Sequence, residues 1–222
     1  MGPPSDLIQW RKEQRALLLA RRLAAPVSAR AAWNSAIDAL LEAGFPQLRH
    51  LVVGFCWPFK GEYDGRSLIV KLRARGARAA LPAVIAKKHP LEYREWWPGV
   101  PMKPGALDIP APEGTPILIP DAVFMPPLGF SEEGARLGYG AGYFDRTLAA
   151  LSPQPLKIGV AYELQRIPTI YPQPHDVLMD FVVTEVEIYA VEEGGLRAVP
   201  PGECADRVAR IAAGRGLPRA QK

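Results

Sequence analysis

The sequence predicts one α/β domain with a mostly parallel sheet covered by helices on both faces. Predicted strands alternate with predicted helices along most of the chain, which is the order that builds a parallel sheet. The segment from Leu48 to Phe55 is apolar almost without a break, as expected for a strand that is buried on both faces. The chain has 222 residues, of which 48% are hydrophobic and 23% charged, and this is enough for one full core.

Two helices are predicted before that strand. Ser5 can cap a helix that begins near Asp6 and continues to about Ala24 through residues of high helix propensity. A second helix is predicted from about Ser28 to Ala43, where apolar residues are spaced i, i+4, i+7 and i+8. Gly44 and Pro46 end it.

The remaining elements alternate. After the first strand we expect a helix at 66–75, a strand at 79–85, an irregular stretch at 89–113 and a strand at 117–125. A helix at 143–150 precedes strands at 156–162 and 181–189, and a helix near 204–213 follows. No internal repeat or domain boundary interrupts this order, so residues 1–222 are assigned to a single domain with a flexible basic tail at about 214–222.

Composition excludes several classes of protein. No window of eighteen residues lacks a charged side chain, so no membrane-spanning helix is predicted, and the charged N-terminal stretch does not resemble a secretory signal. Two cysteines without a C-x-x-C pair argue against a disulfide framework and a cysteine zinc site, and they favour the cytoplasm. The net charge of +4 is compatible with phosphorylated small molecules, and we expect a monomer with no nucleic-acid or membrane partner.

The most informative motif is a glycine run from Arg136 to Arg146. Gly138, Gly140 and Gly142 alternate just before a predicted helix. Alternating glycines let the backbone approach a ligand closely, and the helix N-terminus adds partial positive charge, so the run predicts an anion site. It is neither a G-x-G-x-x-G fingerprint nor a Walker A loop, and by itself it is equally typical of a structural turn.

The flanking residues strengthen the phosphate interpretation. Arg136 and Arg146 bracket the glycines and could bind phosphate oxygens with two parallel hydrogen bonds. Asp145 falls in the first helical turn, where a carboxylate beside phosphates is reasonable if Mg²⁺ lies between them. Alternatively, Asp145 simply interacts favourably with the helix dipole.

The segment R-L-G-Y-G-A-G-Y-F-D-R-T-L, residues 136–148, resembles the signature of the 5-formyltetrahydrofolate cyclo-ligase family. Further segments at 62–64, 97–99, 109–112, 156–162, 174–180 and 182–185 are similar to the family in order and spacing, and together the likeness spans about residues 10 to 187. The resemblance implies MgATP-dependent closure of 5-formyltetrahydrofolate to 5,10-methenyltetrahydrofolate, with release of ADP and phosphate. It also implies the arrangement shared with ribose-phosphate isomerase and CoA-transferase-like proteins.

The resemblance implies roles for particular side chains. The residues assigned to ATP are Arg11, Arg15, Arg136, Gly138, Gly140, Gly142 and Tyr143. Of these, Arg136 and Tyr143 are also assigned to catalysis together with Asp145. Asp145 and Asp180 would hold Mg²⁺, while Glu62 and Trp97 would bind the folate. Each has a plainer alternative: a solvated helix face for the two N-terminal arginines, a turn carboxylate for Asp180, a loop acid for Glu62 and simple packing for Trp97.

Five positions depart from the usual family pattern: Arg11, Ala111, Ser131, Ala141 and Phe144. They leave open a second interpretation, a paralogue of the same fold that binds a nucleotide or pterin-like ligand without cyclo-ligase activity. A third, a basic protein associated with nucleic acid, is supported only by the charge and the basic C-terminal stretch.

Overall fold

A computed structural model describes residues 2–218 of the chain. Its helices are α1 (Leu7–Ala24), α2 (Val27–Gly44), α3 (Arg66–Ala74), α4 (Tyr143–Ala150) and α5 (Pro201–Arg215). Its strands are β1 (Val52–Gly54), β2 (Arg78–Ala83), β3 (Glu92–Trp96), β4 (Met102–Pro104), β5 (Pro110–Pro112), β6 (Ala122–Met125), β7 (Gly129–Ser131), β8 (Arg136–Leu137), β9 (Leu156–Val160), β10 (Arg166–Ile167), β11 (Phe181–Val183), β12 (Ile188–Glu192) and β13 (Gly195–Val199). Within this part of the chain, no helix is long and apolar enough to cross a membrane.

Eight strands form the central sheet, in the order β13-β12-β11-β9-β6-β1-β2-β3. The five strands from β11 to β2 are parallel, and the antiparallel strands β12, β13 and β3 extend the two ends. The predicted mostly parallel α/β sheet is therefore confirmed. Two smaller sheets, β10-β7-β8 and β4-β5, lie outside it. We call the side on which the parallel strands end the carboxyl edge and the opposite side the amino edge.

Both faces of the sheet are covered, as the apolar strands predict. On one face α2, α3 and α5 pack against the sheet, with Phe45 meeting Phe181 edge to face at 5.2 Å between ring centroids. On the other face Leu148 of α4 and Phe130 of β7 bury Val123 and Val182. Helix α1 does not join either layer. Its Leu18 is fully buried against residues of the small β10-β7-β8 sheet and the segment that follows it.

The helices follow the predicted boundaries closely. Asp6, rather than Ser5, caps α1, since its carboxylate accepts a hydrogen bond from the backbone N–H of Gln9 at 2.9 Å. The strand predicted at 48–55 is shorter than expected. Pro46 begins a 3₁₀ helix that runs to His50, so only Val52–Gly54 pairs in the sheet.

Two regions contain more strands than the sequence indicated. The stretch at 89–113, which we expected to be irregular, holds β3, β4 and β5. The strand predicted at 181–189 is a hairpin of β11 and β12, because a turn at Thr184–Glu187 reverses the chain. That turn contains neither glycine nor proline. The turn is stabilised by the hydroxyl of Thr184, which accepts a hydrogen bond from the backbone N–H of Val186. A search for glycine and proline therefore does not find this turn.

Helix α5 continues further than predicted and is tied to the sheet at its end. Arg215 donates to both carboxylate oxygens of Asp180 at 2.7 Å and to the Pro155 carbonyl at 2.7 Å, and Leu217 is 4% exposed. The tail expected at about 214–222 therefore does not begin at residue 214. Residues 219–222 lie outside the described part of the chain.

Replacing Arg215 should destabilise the fold measurably. Arg215→Leu removes two charge-assisted hydrogen bonds from a carboxylate that is mostly buried, so we expect the free energy of unfolding to fall by about 2 kcal/mol. Urea denaturation measures the change. Arg210→Leu, at an exposed position of the same helix, is the matched control, and equal stabilities of the two variants would contradict the expectation.

Candidate functional site

The glycine run forms a loop that joins β8 to α4 near the carboxyl edge. Leu128, three residues after the end of β6, donates its backbone N–H to the Leu137 carbonyl, so the run starts beside the end of a central strand. Gly142 is the N-cap of α4 in a left-handed conformation, with φ at +63°. Gly140 has φ at +94°, and a Cβ on it would stand 3.2 Å from Cζ of Arg15. The loop thus has exposed backbone at a helix N-terminus, the arrangement that binds phosphate.

The two N-terminal arginines have different surroundings. Arg15 reaches the glycine loop, where its Nε donates to the Gly138 carbonyl at 2.8 Å. Arg11 instead donates to the carbonyls of Ile170 and Tyr171 and to the Asp176 carboxylate, at 3.1, 3.0 and 2.6 Å. These contacts hold the 170–176 segment against α1. They give Arg11 a structural role, and its contact with ATP stays a prediction.

Arg136 lies beneath the loop rather than at its surface. The side chain is 5% exposed and donates to the Asp145 carboxylate and the Val177 carbonyl. Burial lowers the pKa of Arg136, and the nearby Asp145 charge opposes that shift. The ion pair joins a buried guanidinium to a carboxylate whose side chain is 24% exposed. Arg136 positions Asp145 through this contact, and its place among the phosphate ligands stays a prediction.

Asp145 is the acidic side chain nearest to the loop in sequence, and it is held in place by the protein. Its Oδ1 accepts from Arg136 and from the backbone N–H of Val177, the latter at 3.1 Å. Both contacts fall on the same oxygen, so Oδ2 is the atom that a cation would take. Among residues 2–218 there is no group of three or more metal-binding side chains. A single carboxylate supplemented by phosphates is how proteins commonly hold Mg²⁺.

Asp180 does not join Asp145, contrary to the expected metal pair. Phe181 pairs with Ile158 in the register of β11 and β9, so Asp180 precedes β11 at the amino edge. Its carboxylate accepts the backbone N–H of Lys157 at 2.8 Å as well as both Arg215 hydrogen bonds. Those contacts occupy both oxygens, and Asp180 serves to fasten α5.

The first turn of α4 places an arginine over an aromatic ring. The guanidinium of Arg146 lies 5.2 Å from the ring centroid of Tyr143, and its Nη2 donates to the Ala141 carbonyl at 2.7 Å. Tyr143 is thus at the loop, as expected. Phe144 packs against the buried cluster on the α4 face of the sheet, so its ring contributes to the core.

Glu62 is a buried carboxyl group next to the glycine loop. The residue is 7% exposed and lies in the loop that follows β1. Its Oε2 accepts the backbone N–H of Phe59 at 3.1 Å, and its Oε1 accepts the hydroxyl of Tyr139 at 3.3 Å. Burial raises the pKa of Glu62 to about 7, and the charge of Arg22 opposes the rise. A carboxylate in this setting can accept paired N–H donors from a heterocycle.

The pKa of Glu62 predicts a pH-dependent stability. Its ordinary value is near 4.5, so between pH 4.5 and pH 7 the folded state keeps a proton that the unfolded state has lost. Because the pKa of this acid is higher in the folded state than in the unfolded state, the free energy of unfolding falls as the pH rises through this window. Glutamine does not titrate, so it avoids this loss. Between pH 4.5 and pH 8, we expect the free energy of unfolding of Glu62→Gln to rise relative to that of the wild type by on the order of 3 kcal/mol.

Urea denaturation of both proteins at pH 4.5, 6 and 8 measures this difference. Comparing the two proteins at each pH cancels the titration of all other groups. Glu193→Gln changes an exposed carboxyl group and is the control. A Glu62→Gln effect that is constant across the pH range would contradict the expected titration.

Trp97 lies away from this site. Trp96 pairs with Ala79, the second residue of β2, so Trp97 follows at the amino edge. Its expected stacking on a ligand stays a prediction, which this position at the amino edge does not favour. The rings beside Glu62 are those of Phe59 and Tyr139, whose centroids are 5.7 Å apart.

Two site residues, Arg22 and Tyr139, have no role assigned from the sequence. Tyr139 stands between two of the glycines. Arg22 lies seven residues after Arg15, which is two helical turns along the same face of α1. That spacing was the signal that could have identified it.

Cys56 has no role as a nucleophile in this arrangement. It lies two residues after the end of β1, and burial together with the nearby Glu62 raises the pKa of its thiol well above the usual range. The thiol is therefore uncharged near neutral pH.

Comparison with known proteins gives consistent results. The model of the 5-formyltetrahydrofolate cyclo-ligase family matches residues 7–185. A 5-formyltetrahydrofolate cyclo-ligase from Haemophilus influenzae is 30% identical over 139 residues, which are 59% of this chain and 74% of that protein. The enzyme of that description from Mycolicibacterium smegmatis is 32% identical over 137 residues, 57% of this chain and 70% of that protein. The solved structure of Aquifex aeolicus 5,10-methenyltetrahydrofolate synthetase matches with a TM-score of 0.72 and 25% identity, covering 86% of this chain and 96% of that one.

Proposed function

The chain belongs to the 5-formyltetrahydrofolate cyclo-ligase family, and on this premise we propose that it uses ATP to cyclise 5-formyltetrahydrofolate to 5,10-methenyltetrahydrofolate. One observation carries the proposal beyond family membership. A glycine loop suited to phosphate and a buried carboxyl group suited to a heterocycle lie side by side, joined by the hydrogen bond from Tyr139 to Glu62. A reaction that transfers a phosphoryl group to a pterin substrate needs these two sites next to each other.

The chemistry explains why the site needs no covalent nucleophile. The formyl oxygen is a poor leaving group until the γ-phosphoryl group of ATP is transferred to it and ADP is released. The neighbouring folate nitrogen then attacks the formyl carbon and loses its proton, the carbon–oxygen bond breaks, and phosphate leaves with that oxygen. The protein must align the two substrates and neutralise the charge that moves between them.

Particular residues would do this. The backbone of Gly138, Gly140 and Gly142 would bind the ATP phosphates, with the Arg15 guanidinium and Tyr143 beside them. Glu62 would accept N–H groups of the pterin, with the rings of Phe59 and Tyr139 against it.

Mg²⁺ fits the site through one carboxylate. Asp145 would hold it with Oδ2, while Arg136 and the Val177 N–H fix the position of Oδ1. The ion would reach the site with the nucleotide and neutralise phosphate charge there.

The non-catalytic paralogue is the less favoured alternative. Ala111 and Ser131 are buried within β5 and β7, and Phe144 contributes to the core, so three of the five departures lie away from the loop surface. Basic residues near the C-terminus are paired with acids: Arg207 with Glu203 and Glu192, and Arg215 with Asp180. These pairings reduce the free positive charge on α5 and argue against a nucleic-acid surface there. We propose that the chain acts as a single-domain monomer in the cytoplasm.

The test is a direct assay. Purified protein is mixed with ATP, MgCl₂ and 5-formyltetrahydrofolate, and the absorbance of methenyltetrahydrofolate is followed, with ADP measured in parallel. We expect product and ADP in equal amounts and neither without ATP. A folded protein that forms no product would overturn the proposal and favour the paralogue.

A further inference from the structure

Arg22 is almost fully buried, at 1% exposure, and its contacts meet the loops of the proposed site. Its Nε donates to the Lys60 carbonyl at 3.0 Å, one Nη donates to the Pro127 carbonyl at 3.2 Å, and the other donates to the Tyr139 hydroxyl at 2.7 Å. That last nitrogen also lies 3.8 Å from Oε1 of Glu62. A guanidinium this deeply buried is tolerated because these contacts replace its water.

The three acceptors belong to three different loops at the carboxyl edge. Lys60 is in the loop after β1 that carries Glu62, Pro127 follows β6, and Tyr139 is inside the glycine loop. The Arg22 guanidinium is therefore a common contact of the pterin side and the phosphate side of the site. It approaches from α1, the helix whose Arg15 also bonds to the glycine loop.

The Tyr139 hydroxyl has two partners and one proton. It accepts from Arg22, so its own proton is directed to Oε1 of Glu62 at 3.3 Å. The flanking glycines give the loop backbone wide freedom, and this side chain restricts it. Fixing Tyr139 for one ligand thus also fixes the surroundings of the other.

From this geometry, and resting on the proposed function, we infer that Arg22 and Tyr139 couple the two halves of the site. Nucleotide in the glycine loop and folate at Glu62 each bind more tightly when the other is present, because both require the same placement of the Tyr139 hydroxyl. The first ligand to bind orders that arrangement, which costs conformational entropy. The second ligand binds to the ordered arrangement, so its own binding free energy does not include that cost. Arg22 and Tyr139 are positioning residues for both substrates.

Calorimetric titration measures the coupling. An ATP analogue with a non-transferable γ-phosphoryl group is titrated with MgCl₂ into the full chain, with and without saturating 5-formyltetrahydrofolate, and the reciprocal titration is also made. We expect each ligand to tighten the binding of the other at least about fivefold, by the same factor in both directions. In Tyr139→Phe we expect this factor to fall close to one.

Tyr189→Phe is the matched control, because Tyr189 also donates to a carboxylate, that of Glu163 at 3.2 Å, and its ring lies beside an arginine. It should keep the wild-type coupling factor. Arg22→Lys keeps the charge but cannot make three directed contacts, so it should lose the coupling too, and its circular dichroism spectrum establishes whether it is folded.

The outcomes separate this inference from the proposed function. Independent binding of both ligands to the wild type would overturn the coupling and leave the function in place. A Tyr139→Phe variant with lower affinities but an unchanged factor would assign Tyr139 a merely structural role and overturn it as well. If neither ligand binds to the wild type, both proposals fail.

Discussion

Asp145→Asn should reduce kcat/KM for ATP at least about 100-fold, because the charge of its carboxylate is the feature that a cation beside the phosphates would need. Asparagine has the same shape and its amide oxygen can still accept the Val177 N–H, so the loop geometry should persist. The loss should therefore come from weaker stabilisation of the transferring phosphoryl group. Extra MgCl₂ should not restore the rate.

The variant must be shown to be folded, since it leaves the buried guanidinium of Arg136 without its charged partner. Circular dichroism and the urea midpoint provide that check, and we expect a lower midpoint with an unchanged spectrum. Asp206→Asn, at an exposed position of α5, is the matched control and should retain wild-type turnover. Wild-type kcat/KM in a folded Asp145→Asn protein would remove Asp145 from the proposed mechanism.

Gly140→Ala should weaken binding of the ATP analogue at least about tenfold. The backbone at this position has φ at +94°, a region that costs an alanine about 1–2 kcal/mol. The added Cβ would also stand 3.2 Å from Cζ of Arg15 and press on the side chain that holds the loop. The loop is expected to relax away from the shape that binds phosphate, with a modest fall in melting temperature.

Two further glycine variants are controls for the effect of Gly140→Ala on nucleotide binding. Gly202→Ala has open space, lies in α5 and should leave nucleotide binding unchanged. Gly138→Ala also has open space in the free protein and no positive φ, so it should keep the melting temperature and lose affinity only if a phosphate approaches its backbone closely. Tight nucleotide binding by all three variants would argue against the glycine loop as the phosphate site.

The fold was largely predictable from the sequence because its signals are local. The spacing of Ile37 and Leu41 identified α2, and the run of apolar residues in the central strands identified the parallel sheet. Of the strands that were not predicted as such, β3 is an edge strand paired antiparallel to the preceding strand β2, and β12 follows a turn formed by a side-chain hydroxyl. Those features depend on tertiary contacts, which local patterns do not encode.

The site was predictable in its main feature and less so in its individual contacts. Alternating glycines before a helix indicated the loop correctly, since only backbone freedom is needed for that. The sequence could not show that Arg215 forms an ion pair with Asp180, or Arg11 with Asp176, because the partners are far apart in the chain. Which acid meets which base is decided by the register of the sheet and the docking of the helices.

Helix α1 has a consequence for how the chain matures on the ribosome. Its residues are synthesised before those of the other elements described, but its arginines bind acceptors spread from Lys60 to Asp176. At about 5–20 residues per second, the last of these acceptors follows Arg11 by roughly 10–30 s. Until residues 127–139 are synthesised, Leu18 and the buried guanidinium of Arg22 lack their partners at Pro127, Ala135, Leu137 and Tyr139. Helix α1 therefore cannot complete its contacts until the second half of the chain is made, and nascent chains stalled before residue 138 should lack the phosphate loop while already containing α1, α2 and α3.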